Sequence, residues 1–83
     1  MDLHIFVKQS CSQCPTAKDL GKKLEEQGRV VHYQSLDTAE GMAQALKYGI
    51  RSLPTILLMN NGKEEGRWVY PELLSEKEAL SLF

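Results

Sequence analysis

The stretch Thr55-Ile56-Leu57-Leu58-Met59-Asn60 constrains this chain more than any other. It is apolar almost throughout, of strand length, and lacks the alternation that marks a strand with one wet face. That is the pattern of a strand buried on both sides of its sheet. Asn61 and Gly62 close it with a turn of the Asn-Gly type, so residues 64–69 read as the return strand of an antiparallel hairpin. A chain of 83 residues makes one small domain, residues 1–83, with a modest core.

The rest of the chain alternates strand and helix. Leu3, Ile5 and Val7 alternate with His4, Phe6 and Lys8, as in a strand with at least one buried face. Cys14, Ala17, Leu20 and Leu24 recur at helical spacing, which predicts a helix over about residues 12–27, stopped by Gly28. Residues 29–36, RVVHYQSL, read as a second strand. Asp37 with Glu40 three residues later has the form of a capping box. It predicts a short helix carrying Met42, Ala45 and Leu46 and ended by Gly49. Ser75 with Glu78 caps a last helix bearing Ala79, Leu80 and Phe83. The order is β-α-β-α-β-β-α. Its first three elements form a βαβ unit, which is parallel and right-handed.

Charge narrows the partners. Acids and bases are intermixed and the net charge is −1, which argues against a nucleic-acid partner and gives no reason to invoke an anionic membrane surface. No apolar run approaches the ~18 residues of a membrane span. The N-terminus MDLHIFVKQS lacks a basic segment followed by a long apolar one, so it does not read as a signal peptide, and a cytoplasmic protein is expected. In that compartment structural disulfides are rare.

This gives weight to the two cysteines, Cys11 and Cys14, at the junction of the first strand and first helix. Unpaired amides and the positive end of the macrodipole at a helix start favour a thiolate. That effect is worth ~0.3–1 kcal/mol, and up to ~2 when partly buried. Lys8, three residues upstream, adds positive charge. Cys11 is therefore expected to titrate below the ordinary thiol value of about 8.5. Cys14, one turn on, is expected to be the less exposed. The division of labour is an attacking Cys11 and a resolving Cys14. Pro15, tolerated only in a first helical turn, fixes the helix start nearby. Two other readings compete. His4 and His32 would complete a Cys₂His₂ zinc site, but their spacing is not that of a finger. They read instead as strand residues with ordinary partners. A purely structural disulfide across so tight a loop would constrain few chain conformations.

The segment Leu53-Pro54-Thr55, followed by the aliphatic strand and the Asn-Gly turn, resembles the corresponding segment of thioredoxins. With Cys-Ser-Gln-Cys opening the first helix, the resemblance covers nearly the whole chain. It implies an α/β, thioredoxin-like fold of glutaredoxin size: a four-stranded mixed sheet flanked by three helices. It also implies a cis Leu53–Pro54 bond facing Cys11, and a Leu53 backbone free to pair with an extended substrate. Lys8, Ser12, Gln13, Leu53, Pro54 and Thr55 are then the residues that shape the site around catalytic Cys11 and Cys14. The implied activity is thiol–disulfide exchange with protein disulfides, fed by a reductase or by glutathione. The implied protein is a monomer with no metal and no cofactor beyond the redox-active disulfide.

Several positions depart from the thioredoxin pattern. Ser10 stands where thioredoxins have Trp, and Ile5 where they have a buried Asp. The first half, with its direct start at the first strand and its Lys8, is more similar to a glutaredoxin. The segment Arg67-Trp68-Val69-Tyr70-Pro71-Glu72 is similar to glutaredoxin-like redoxins, yet lacks the Gly-Gly and acid of glutathione-binding members. Trp68 and Tyr70 read first as packing residues and second as the lining of a substrate groove. A glutathione-dependent glutaredoxin-like enzyme and a non-catalytic module binding a metal or iron–sulfur cluster through Cys11 remain the alternatives.

Overall fold

A computed structural model describes all residues, 1–83. The elements are β1 (Asp2–Val7), α1 (Cys14–Glu26), β2 (Val31–Ser35), α2 (Ala39–Lys47), β3 (Thr55–Asn60), β4 (Lys63–Val69) and α3 (Glu76–Leu82). The sheet order is β2-β1-β3-β4. β1 pairs parallel with β2 and antiparallel with β3, and β3 pairs antiparallel with β4. The sheet is therefore mixed, with the apolar run of β3 inside it and buried from Thr55 to Met59.

Each face of the sheet has its own core. Leu3, Ile5 and Val7 of β1 and Ile56 and Leu58 of β3 pack with Cys14, Ala17 and Leu24 of α1 and Ala79 of α3. The opposite face is smaller: Phe6, Leu57 and Met59 pack with Ala45 of α2. Both α1 and α2 approach the sheet through a glycine. A Cβ on Gly41 would overlap the backbone carbonyl of Ser35, and one on Gly21 would run into the Tyr33 hydroxyl and Ile5.

Helix ends follow local chemistry, with corrections. Ser75 and Glu78 form the expected reciprocal capping box on α3. α1 starts at Cys14 rather than residue 12, with Gln13 at the N-cap and no side chain capping it. α2 is capped by Thr38, not Asp37: Thr38 Oγ1 accepts from the Gly41 amide at 3.0 Å. Asp37 is drawn elsewhere, accepting from the Gln9 amide at 2.7 Å. The buried side of α2 consists of Gly41 and Ala45 alone, while Leu46 is 77% exposed and Met42 is exposed too. On α1 the inward stripe is Cys14, Ala17, Gly21 and Leu24, and Leu20 is only half-buried.

On the α2 side of the sheet, the N-terminal end of β1 is uncovered and polar. His4 pairs with His32 in register, and their rings stack with centroids 4.7 Å apart. His32 Nε2 lies 3.1 Å from Asp2 Oδ2, and Gln34 Nε2 lies 3.2 Å from His4 Nδ1. Burial, and then the neighbouring His32, hold His4 below the ordinary imidazole pKa. The opposite sheet edge, β4, carries Lys63, Glu64, Glu65 and Arg67. Arg67 makes a forked pair with Glu64, both contacts at 2.9 Å, which lowers the pKa of that carboxyl. The β3–β4 register shifts between Leu58 and Met59.

Candidate active site

The site is built where β1 ends and β3 begins. The antiparallel register pairs Phe6 with Thr55, so the segment entering β3 lies beside the one leaving β1. One carries Leu53 and Pro54, the other leads to Cys11.

After Val7 the chain turns twice before entering α1. The Cys11 amide donates to the Lys8 carbonyl at 3.1 Å, closing the first turn. The Gln9–Asp37 hydrogen bond braces the same loop against the segment after β2. Cys11 and Cys14 form a disulfide with Cα atoms 5.5 Å apart. The two sulfurs sit in different surroundings. Cys11 is half-buried at the rim, whereas Cys14 is 1% exposed and belongs to the α1-side core with Ile5. Ser12 and Gln13 form the exposed crest between them. The uncapped first turn of α1 has no acidic residue, so no carboxylate competes for its positive end.

The Leu53–Pro54 peptide bond is cis. Pro54 is fully buried, and Thr55, the single buried polar side chain, donates from Oγ1 to the Ser52 carbonyl at 2.6 Å. The Pro54 carbonyl accepts from the Tyr70 amide at 3.2 Å. Leu53 is half-buried and packs against both cores, as Cys11 does against the larger one. The Leu53 amide and carbonyl take no part in backbone pairing, since Leu53 lies ahead of β3 and outside every turn and cap bond.

The Lys8 side chain lines a groove between α1 and β2, together with Lys18, Lys22, Glu25 and Tyr33. Tyr33 donates to Glu25 Oε1 at 2.8 Å, and burial together with this bond pushes its phenol up to about 12. Trp68 packs onto the α1-side core and over Gly66, as its packing reading expected. Tyr70 is 38% exposed and precedes a second cis bond, Tyr70–Pro71, which the sequence reading did not anticipate. Sequence reading also missed Asp37 as the brace of the cysteine loop. Its position just after β2 was the available signal, because parallel strands end on the same side of a sheet.

His4 and His32 gather with Asp2, not with the cysteines, which leaves no Cys₂His₂ cluster.

No family model matches the chain. It is 33% identical over 57 residues to a probable thioredoxin of Archaeoglobus fulgidus, covering 68% of this chain and 63% of that one. It is 33% identical over 64 residues to a thioredoxin of Rickettsia bellii, covering 72% and 58%. The chain thus spans roughly three-fifths of the length of these curated relatives, 63% and 58%. Among solved structures, a mutant thioredoxin from Halobacterium salinarum superposes with a TM-score of 0.79 at 28% identity, over 98% of this chain and 69% of that one.

Proposed function

We propose that the chain belongs to the thioredoxin superfamily and is a thiol–disulfide oxidoreductase that exchanges a Cys11–Cys14 dithiol with the disulfides of other proteins. The observation that carries this reading is the asymmetry of the pair: one sulfur half-buried at the rim, the other in the core.

Cys11, as thiolate, attacks one sulfur of a substrate disulfide. A Cys11–substrate disulfide forms, the substrate S–S bond breaks, and one substrate thiolate leaves. Cys14 then attacks Cys11 Sγ, which releases the second substrate sulfur as a thiolate and closes the Cys11–Cys14 disulfide. The substrate gains two electrons and the protein loses two. No carboxylate is buried beside Cys14, because Ile5 fills the core beneath it and Thr55 is the one buried polar group. The Cys14 proton therefore passes to the substrate thiolate released in the first step. The unpaired backbone of Leu53 offers the substrate chain a strand-like partner next to the reacting sulfur. Ser12 and Gln13, the exposed crest between the cysteines, frame the approach. Pro54 and Thr55 fix the floor.

Two electrons must return from a donor, either a reductase or glutathione. The thioredoxin names of the relatives favour protein disulfides over glutathione, and favour catalysis over a metal- or cluster-holding role for Cys11. No helix is long and apolar enough to cross a membrane. We read the protein as a cytoplasmic monomer.

Insulin reduction with dithiothreitol tests the assignment. Cys14→Ser should accumulate a mixed disulfide at Cys11, visible by mass mapping, and Cys11→Ser should accumulate none. Parent-like turnover by both variants would end this reading. Offering the oxidised protein a thioredoxin reductase and glutathione in parallel identifies the donor.

A further inference from the structure

We propose that Asp2, His4 and His32 form a binding site for a divalent transition-metal ion of the zinc type, at the end of the sheet opposite the cysteines. The inference does not depend on the redox reading.

The site follows from register. The parallel pairing sets His4 directly beside His32. Asp2, two residues before His4 on the same strand, projects from the same face. Each of the three offers one ligand atom, and these atoms lie within 4.8 Å of one another. A tetrahedral ion with ligands at 2.0–2.1 Å holds its donors about 3.3 Å apart. The His32–Asp2 pair, at 3.1 Å, already has that spacing. Both side chains keep 45% of their surface exposed, which lets an ion enter and lets side-chain rotation close the remaining gap.

The donor set selects the ion. Two imidazoles and one carboxylate suit zinc and its neighbours, whereas calcium and magnesium prefer oxygen alone. Three protein donors leave a fourth position for water. Gln34 lies against His4 Nδ1; with its amide turned so that Oε1 accepts from Nδ1–H, it is the positioning residue that orients the ring and leaves Nε2 for the ion. Sequence spacing argues only against a zinc finger. It does not address a site whose two histidines lie on neighbouring strands.

The test is calorimetric titration of the oxidised protein with zinc chloride. The closed disulfide keeps both thiols from binding the ion. One zinc per chain is expected. His4→Ala and His32→Ala should each weaken binding tenfold or more, and Gln34→Ala about tenfold. Asp2→Asn, at the half-buried first residue of β1, should also weaken binding, and it serves where a histidine variant folds poorly. Circular dichroism and insulin reduction of the metal-free variants should match the parent. Absence of zinc binding at calorimetric concentrations overturns the proposal. So does parent-like zinc binding by the folded variants.

Discussion

On the α1/α3 side of the sheet every odd residue of β1 is buried: Leu3, Ile5 and Val7. On the α2 side only Phe6 of the even residues is, while Asp2 and His4 stay partly open. The two faces belong to one strand, so strand propensity does not distinguish them. Cover does. Two helices roof the first face, and nine-residue α2 shields only part of the second. A short helix spans ~1.5 Å per residue and leaves strand ends bare. The covered face became the place to seat a buried thiol, and the bare end admits polar chemistry. The alternation in one hexapeptide thus records how much roof each side received.

Four measurements would break or sharpen this contrast. The largest effect is expected from Ile5→Ala, about 2–5 kcal/mol of stability by denaturant titration, because the cavity lies inside a fully roofed core. His4→Ala, on the same strand but the bare face, should cost no more than about 1 kcal/mol without metal. Equal losses would show that both faces are cores. Next come the two glycines of close approach. Gly41→Ala meets rigid backbone and should cost near the top of the ~1–3 kcal/mol range for overpacking. Gly21→Ala meets side chains, the Tyr33 hydroxyl and Ile5, rather than backbone, and alanine's better helix propensity offsets about 1 kcal/mol, so its net cost should be smaller. A reversed order would show α1 to be the tighter-docked helix. Ser75→Ala removes the capping box of α3 and should cost about 1 kcal/mol, read as a lower thermal midpoint. The smallest effect concerns alkaline pH. Tyr33 holds its proton up to about 12 in the folded protein. The folded state therefore resists a deprotonation that the unfolded chain undergoes near 10. The contribution is present below pH 10 and is lost as pH rises toward 12. Tyr33→Phe should flatten that slope, modestly, since Tyr33 is 39% exposed.

The sequence carried the element order because each element's period is local, and the α3 cap because its four residues are contiguous. It misplaced the α2 cap by one residue. Asp37 and Thr38 are both good cap formers, and what separates them is an amide 28 positions away that claims the Asp37 carboxylate. Leu46 was placed on α2 by its spacing, but its exposure follows from docking: α2 approaches the sheet through Gly41 and Ala45, where small side chains allow close approach. In the candidate site, the closeness of Cys11 and Cys14 was legible from spacing and the cis Leu53–Pro54 bond from resemblance. The Asp37 brace and the Pro54–Tyr70 bond were not, since both depend on which strands end together.

The two outer strands also bear on how copies of this protein meet one another. A sheet with open borders can grow by recruiting another molecule's strand, the first step toward fibres. Along β4, an incoming strand would have to desolvate Lys63, Glu64, Glu65 and Arg67 and follow a border whose register slips at Leu58/Met59. Arg67 is moreover held by Glu64 and by the Tyr48 carbonyl, at 2.6 Å, so it does not readily swing clear. This border is a poor seed for polymerisation, and the molecule can expose unpaired backbone at Leu53 while its long charged edge discourages propagation into aggregates.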